Sequence, residues 1–173
     1  MDIGYLFETY GALDYLARLG AAAAMGGVIG LDREAHDRPA GLRTHMMTAM
    51  AAAIFTILTL ELHEEFVLRG AHGTADPIRI IDAVTAGVAF LAAGAIIHMR
   101  GQVRGLTTGA GMWLAGALGV ACGMEKYMLG GVALALAAIV LMALRPLEAR
   151  LSHRRGNARE NEDQAERDDA PPR

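Results

Sequence analysis

The fold of this chain is decided by the stretch Gly30-Leu-Asp-Arg-Glu-Ala-His-Asp-Arg-Pro-Ala-Gly-Leu-Arg-Thr-His45, a charged hairpin between two apolar segments, residues 17–31 and 46–60. A second stretch, Arg100-Gly-Gln-Val-Arg-Gly-Leu-Thr-Thr-Gly-Ala-Gly-Met-Trp113, also lies between apolar segments. Both stretches combine Arg, Gly and Thr, and both open an apolar helix with Thr near its start. We therefore expect them on the same side of a membrane, facing each other.

The composition is typical of a membrane protein. The 173 residues are 53% hydrophobic and include 21 Gly and 10 Met, while aromatic residues make up only 5%. Small and flexible apolar residues suit close-packed membrane helices. The formal net charge of -3 gives no indication of a nucleic-acid partner. The single cysteine, Cys122, excludes an intrachain disulfide and lies in an apolar run, where we expect it to be buried.

Five apolar segments are separated by charged stretches, and their lengths approach the roughly 20 residues that a membrane-spanning helix needs. The predicted spans are residues 13–31, 45–60, 78–97, 106–124 and 127–144. Buried helices of a soluble protein are the alternative, but segments this apolar leave too little polar face to cover in water. The sequence therefore predicts an all-α, polytopic membrane protein with about five transmembrane helices in the lipid bilayer.

Several helix boundaries are also predicted. Residues 1–18 are interpreted as a short N-terminal arm with helical character, in which Asp14 and Arg18 are spaced to pair. Thr44 is predicted to cap the second helix, and residues 61–74 are interpreted as an exposed loop or a short surface helix. The dipeptide Asp76-Pro77 predicts the start of the third helix, because Asp is a good N-cap and Pro suits the first helical position.

The distribution of arginine predicts the orientation, because cytoplasmic loops carry an excess of Lys and Arg. With five spans, three Arg-rich regions fall on one side: Arg33, Arg38, Arg43, Arg100, Arg104, Arg145, Arg150, Arg154, Arg155 and Arg159. The N-terminus is then outside and the C-terminus cytoplasmic. Residues 1–146 form the predicted transmembrane domain. Residues 147–173 form a charged cytoplasmic tail, expected to be disordered because it has little apolar surface to bury.

Small residues recur at four-residue spacing in two predicted spans, as Ala22, Gly26 and Gly30 and as Gly111, Ala115, Gly119 and Gly123. Such stripes let another helix backbone approach closely. The predicted helix-packing positions are Gly26, Gly30, Gly94, Gly111, Gly119 and Gly123. The alternative interpretation is that glycine is merely tolerated in lipid.

The sequence contains no recognisable catalytic or metal-binding motif. It has no phosphate-binding loop, no nucleophile elbow around its only serine, Ser152, and no close metal-ligand spacing among its histidines. His36, His45, His63, His72, His98 and His153 are interpreted as ordinary surface or interface histidines. We therefore expect no enzyme activity, no catalytic residue, no metal and no cofactor.

Two ionisable residues near the start of the third span are candidates for an intramembrane site, since a charge costs about 2.5–3.5 kcal/mol at the centre of a membrane helix. Asp82 lies about 6 Å inside if the span begins at residue 78, and Arg79 precedes it by three residues. One interpretation is an ion- or proton-responsive site that faces the bundle interior. The other is an interfacial pair whose side chains extend to the headgroups.

The two charged stretches together form the main candidate site for a ligand or partner. Its predicted members are Arg33, Glu34, Arg43, Thr44, Arg104, Thr107 and Thr108. Helix N-termini with nearby arginine favour anions, while Glu34 either balances part of this charge or recruits a cation. The alternative is that these groups only fix loop geometry and membrane orientation.

Three blocks of sequence resemble the MgtC/SapB family of bacterial membrane proteins. They are Gly27-Val-Ile-Gly-Leu-Asp-Arg-Glu continuing to Arg38-Pro-Ala-Gly-Leu-Arg-Thr-His45, Arg79-Ile through Ala86-Gly-Val-Ala-Phe-Leu-Ala-Ala-Gly-Ala-Ile-Ile97, and Val103-Arg-Gly-Leu-Thr-Thr108 with Trp113. The blocks fall in the family's order across about residues 17–145. The chain departs from the family pattern at Ala89 and Ala92, where Gly is usual, at Gly109, where Ala is usual, and at Asp82.

The resemblance implies a multi-pass protein of the bacterial inner membrane that supports growth in low magnesium and, in pathogens, survival inside host cells. It implies a non-enzymatic function exerted through other inner-membrane proteins, among which the ATP synthase is one proposed partner, and it leaves a homo-oligomer open. The charged tail, in place of the ACT-like domain that many members carry, indicates the family's short form. The rival prediction is a small ion transporter or channel that works as an oligomer.

Overall fold

The structure, a computed structural model, describes residues 3–36, 38–69, 78–99, 102–141 and 143, with backbone alone for residues 3–10, 97–99 and 102–104. Its elements in chain order are α1 (Ile3–Glu34), α2 (Leu42–Leu68), α3 (Ile78–Ala95), β1 (Ile97–Met99), β2 (Gln102–Arg104), α4 (Leu106–Gly123) and α5 (Tyr127–Leu141). The predicted all-α architecture with five helices is confirmed, with one short β-hairpin added to it. The predicted helix start at Asp76-Pro77 and the predicted tail lie outside the described residues.

Four of the helices are long and apolar enough to cross a membrane, namely Gly11–Glu34 within α1 and the whole of α2, α3 and α4. The shorter two, α3 and α4, have 18 residues each, and this length corresponds to about 27 Å along a helix axis. Helix α5 is apolar but shorter than these four. The chain is therefore a multi-pass membrane protein, and the orientation of its termini stays a prediction.

Two helices are longer than the sequence indicated. Helix α1 is continuous from Ile3, so the predicted N-terminal arm is part of the first helix. Helix α2 continues to Leu68, so the prediction of a separate loop or surface helix beginning at residue 61 is wrong. Residues 61–69 contain neither Gly nor Pro and are rich in good helix formers, which explains why the helix extends through this polar stretch.

The start of α2 also differs from its prediction. The helix begins at Leu42, and its N-cap is Gly41. The prediction that Thr44 caps α2 is wrong, because Thr44 lies within the first turn. Pro39 disfavours helical backbone at the residue before it, so the chain cannot continue α1 directly into α2.

The β-hairpin between α3 and α4 was not predicted from the sequence. Strands β1 and β2 pair antiparallel, with Ile97 opposite Arg104. Gly105 follows at φ 90, in the left-handed region that glycine adopts most readily. A Cβ at Gly105 would also overlap the carbonyl oxygen of Ala95. Only glycine therefore fits where the hairpin turns back into α4.

The described chain falls into two compact units, Met1–Leu134 and Ala135–Arg173. In the first unit, α1, α2 and α4 pack around fully buried small side chains: Ala22, Ala49, Ala53, Ala115 and Cys122. The predicted burial of Cys122 is confirmed. Helix α3 lies mainly against α4, and its Val84 and Val88 pack with Ala52 of α2. The second unit contributes the apolar C-terminal part of α5 to the described residues.

Glycine provides the closest approaches between the packed helices. A Cβ at Gly26 would lie 2.6 Å from the carbonyl oxygen of His45, and one at Gly123 would lie 2.9 Å from that of Ala53. A Cβ at Gly119 would overlap the carbonyl oxygen of Ala49. At these positions α2 lies directly against the backbones of α1 and α4, a spacing that any larger residue would increase.

Candidate functional site

The first charged stretch is closed by a contact between the end of α1 and the start of α2. The Glu34 carboxylate accepts a hydrogen bond from the backbone N–H of Leu42, at 3.0 Å from Oε2. This N–H is one of those that a helix start leaves without an intrahelical partner. A Cβ at Gly41 would overlap the Glu34 carboxylate, so the absence of a side chain at Gly41 makes this contact available. Glu34 thus occupies the anion-favouring end of α2.

Arg33 organises the turn itself. Its side chain is largely buried and pairs with Asp32, with Nε 3.1 Å from Oδ2. Its backbone carbonyl accepts hydrogen bonds from the N–H groups of His36 and Arg38, at 3.2 and 3.1 Å. The mixed charge of this stretch therefore includes specific contacts: Asp32 pairs with Arg33, while Glu34 binds the N-terminus of α2.

His45 is a residue that sequence reasoning missed. We expected an ordinary surface or interface histidine. The surface interpretation is wrong, because His45 is 0% exposed. Its Nδ1 lies 2.8 Å from the carbonyl oxygen of Gly41. Its Nε2 is buried, without a hydrogen-bond partner in the part of the chain that the structure describes. The spacing of His45 from the buried residues Ala49, Ala52 and Thr56 follows helical periodicity and could have placed it on the buried face of α2.

The start of α4 lies at the same end of the bundle as this hairpin. A Cβ at Gly111 would lie 3.1 Å from Nε2 of His45 and 3.4 Å from Ile29 of α1. Thr108 is buried at 1% exposure, whereas Thr107 is exposed. The two charged stretches are thus brought to one end of the first unit, where Gly111 closely approaches His45.

The members of the predicted cluster differ in their exposure. Arg33 and Thr108 are buried, while Glu34, Arg43, Thr44 and Thr107 are exposed. The side chain of Arg104 lies outside the described part of the chain, although its backbone belongs to β2. The structure therefore brings these segments together without showing a direct contact between Arg43 and the threonines of α4.

Asp82 and Arg79 are both exposed on α3. The interpretation of Asp82 as a site facing the bundle interior is therefore wrong for this chain, since the side of α3 that packs inward carries Val84, Val88 and Ala92. No ion pair joins Arg79 to Asp82 among the side chains that the structure describes. The sequence could not decide which side of α3 would pack, because apolar residues occur all around this helix.

Arg18 links α1 to the α4–α5 turn at the opposite end of the first unit. Its Nη2 lies 2.6 Å from Asp14 and also pairs with Glu125, and its Nη1 donates to the carbonyl oxygen of Gly123 at 3.2 Å. The predicted Asp14–Arg18 pair is confirmed. The contacts with Gly123 and Glu125 were missed because they join residues far apart in sequence. Glu125 has φ 60, an uncommon backbone conformation for a residue with a side chain.

The predicted packing glycines differ in their surroundings. A Cβ would meet another helix or its connecting segment at Gly26, Gly30, Gly111, Gly119 and Gly123. At Gly30 the neighbour is the Cα of Leu42, at 2.6 Å. At Gly94 a Cβ would meet nothing within 4 Å among the described residues. Gly94 therefore faces open space, whereas the other five glycines lie where two segments approach closely.

Two grooves border α3, and both are apolar. The larger, of about 330 Å³, lies between α2 and α3 and is lined by residues such as Phe55, Val84 and Leu91. The smaller, of about 230 Å³, lies between α3 and α4 beside Trp113. Among the described residues, no group of three or more His, Cys, Asp or Glu could hold a metal ion.

Comparisons with known proteins place the chain among bacterial relatives. It is 35% identical to the "Putative magnesium transporter YhiD" of Escherichia coli over 141 residues, which are 82% of this chain and 65% of the relative. It is also 35% identical to "Protein MgtC" of Brucella abortus over 131 residues, which are 76% of this chain and 51% of the relative. The chain thus spans between half and two thirds of the length of these relatives. No solved structure matches it. The sequence model of the MgtC family matches residues 19–150, and the chain belongs to that family.

Proposed function

We propose that this protein is a non-enzymatic protein of the bacterial inner membrane that supports growth when magnesium is limiting. It acts by contacting other inner-membrane proteins, such as the ATP synthase, through the end of the bundle where α1 ends and α2 and α4 begin. The observation that carries this proposal is the close approach of Gly111 to His45 and Ile29, where an added Cβ would lie 3.1 and 3.4 Å away, at the end of the bundle that both charged stretches share.

The exposure of this end supports a partner rather than a small bound anion. Glu34 already occupies the N-terminus of α2, where an anion would otherwise be favoured. Arg43, Thr44 and Thr107 are exposed on the two helices that begin at this end. Exposed charged and hydroxyl groups around a rigid helix junction can donate hydrogen bonds to a partner without any change in the packed core.

The link to magnesium is supported by the name of one relative, "Putative magnesium transporter YhiD" in Escherichia coli. The test is growth of a strain that lacks the gene across a series of magnesium concentrations. We expect normal growth at high magnesium and slower growth at low magnesium, restored by the gene on a plasmid. Equal growth of the deletion and parent strains at every concentration would contradict the proposal.

The name of the Escherichia coli relative also favours a second function, ion transport. Five short helices would need further copies of the chain to form such a pathway. Purified protein reconstituted in liposomes with a trapped magnesium indicator distinguishes the two. Magnesium entry above that of protein-free liposomes supports transport. Its absence in liposomes with many copies of folded protein favours the partner function.

A further inference from the structure

Helix α3 is packed on only one side. Only 17% of its 18 residues are buried, compared with 50% in α4 and 39% in the most apolar 18-residue stretch of α2. Its buried residues, Val84, Val88 and Ala92, follow each other at four-residue spacing and therefore lie on one side of the helix. The opposite side has no neighbour in the described part of the chain, as the 80% exposure of Phe90 illustrates.

The open side of α3 carries a regular stripe. Its members are Arg79, Asp82, Ala86, Ala89 and Ala93, all of them exposed. Their alternating spacing of three and four residues is that of the contact seam between two parallel helices. We call these five residues the outer stripe.

The outer stripe combines small residues with two opposite charges. Its alanines permit close approach of another helix backbone. Its first two members carry opposite charges, and neither forms an ion pair among the described side chains of its own copy. At the start of a span that faces lipid, an unpaired Asp82 is costly, and an arginine at the same depth relieves this cost.

We propose that the outer stripe binds the outer stripe of a second copy of this chain. Two parallel α3 helices related by a two-fold axis along the membrane normal place equivalent residues at equal depth. Arg79 and Asp82 are then about 4.5 Å apart along the axis. The long side chain of Arg79 in one copy reaches Asp82 in the other, and the second pair forms in the same way. A surface that carries both charges is complementary to itself, which identifies the occupant as a second copy.

This inference does not depend on the magnesium-related function. The dimer is measured by association in the membrane, and the proposed function is measured by growth. A failure of either result leaves the other standing.

Co-expression of two charge variants tests the proposal. Arg79→Asp leaves two acidic residues in the stripe, and Asp82→Arg leaves two basic residues. Full-length copies with different affinity tags are expressed singly and together, and the co-purified amounts are normalised to membrane abundance. We expect differently tagged copies of either variant alone to lose self-association because like charges face each other, and the mixed pair to associate as wild-type copies do. Self-association of both single variants at the wild-type level, or no association of the mixed pair, would overturn the proposal.

A cross-linking experiment leaves both charges intact. It therefore tests the same interface even if the charge variants fail to accumulate in the membrane. Cysteines form a disulfide only when their Cα atoms come within about 7 Å. We expect Ala86→Cys to give a cross-linked dimer in native membranes under mild oxidation. The matched control is Leu58→Cys in the middle of α2, 49% exposed in the first unit, which should stay monomeric. No cross-link at residue 86, or an equal yield at residue 58, would contradict the interface.

Discussion

The Glu34 carboxylate lies 3.0 Å from the backbone nitrogen of Leu42 and joins the end of α1 to the start of α2. This contact replaces a capping side chain at Gly41, which has none. It also accounts for the glycine seven positions after Glu34 in this chain, since a larger residue at Gly41 would displace the carboxylate. The start of α2 is thus capped by a side chain from the end of α1.

Glu34→Ala should destabilise the first unit by about 1 kcal/mol, the usual effect of losing a helix cap. Glu34→Gln should destabilise the first unit less than Glu34→Ala. The amide oxygen still accepts the hydrogen bond, and only the favourable charge at the helix N-terminus is lost. The measurement is thermal unfolding of the purified protein in detergent. Glu64→Ala, an exposed position near the other end of α2, is the control, and equal melting temperatures for Glu34→Ala and Glu64→Ala would contradict this function of Glu34.

Gly119→Ala should destabilise the protein by about 1–3 kcal/mol, the range for overpacking a tight interior. The new methyl group would overlap the carbonyl oxygen of Ala49 and lie 2.8 Å from the Cβ of Ala52. The control is Gly131→Ala in α5, where a Cβ would meet nothing within 4 Å and where alanine improves helix propensity by up to about 1 kcal/mol. The two variants should therefore shift the melting temperature in opposite directions, and a common direction would argue against close packing at Gly119.

Arg18→Ala should lower stability more than Arg69→Ala. Arg18 contacts Asp14, Glu125 and the carbonyl oxygen of Gly123 from a partly buried position. Arg69 pairs with Glu65 on the surface, where both side chains are more than half exposed, and such pairs contribute only about 0–1 kcal/mol. Unfolding in detergent compares the variants. A loss of stability for Arg69→Ala as large as that for Arg18→Ala would show that the contacts of Arg18 with Gly123 and Glu125 do not stabilise the fold.

The orientation can be tested by cysteine labelling of intact cells with a reagent that does not cross the membrane. Glu64→Cys, near the C-terminal end of α2, should label from outside, whereas Arg38→Cys, in the first charged stretch, should label only after the cells are opened. The native Cys122 is fully buried and should give little background. Labelling of Arg38→Cys in intact cells would reverse the predicted orientation.

The sequence predicted the helices better than their ends and contacts. Apolar length was sufficient to identify α3 and α4, and the four-residue spacing of Gly111, Gly119 and Gly123 correctly indicated a closely packed face. The end of α2 was missed because residues 61–68 are polar, and hydropathy does not distinguish a polar helix from a loop. The short strands β1 and β2 were missed because they depend on pairing and on Gly105 rather than on a local pattern.

The placement of both charged stretches at one end of the bundle was predictable from the sequence, but their contacts were not. Two similar stretches indicated one polar end, yet Glu34 binds the backbone of Leu42, which no spacing of charges reveals. His45 belongs to the buried face of α2 and lies close to Gly111, and this proximity could be seen only once the arrangement of α2 and α4 was known. The partner of Arg18 at Glu125 likewise depends on tertiary packing alone.

The claim that the polar end carries the function is tested most directly by one exposed arginine. Arg43 lies at this end of α2, and Arg69 follows the other end of the same helix, so each can be changed to alanine in a matched experiment. Thr108 is less suitable because it is buried, and its substitution would also disturb packing. The measurement is growth at low magnesium of a deletion strain that expresses each variant at equal membrane abundance. We expect Arg69→Ala to restore growth fully and Arg43→Ala to fail. Full growth with Arg43→Ala, or equal failure of both variants, would contradict the account.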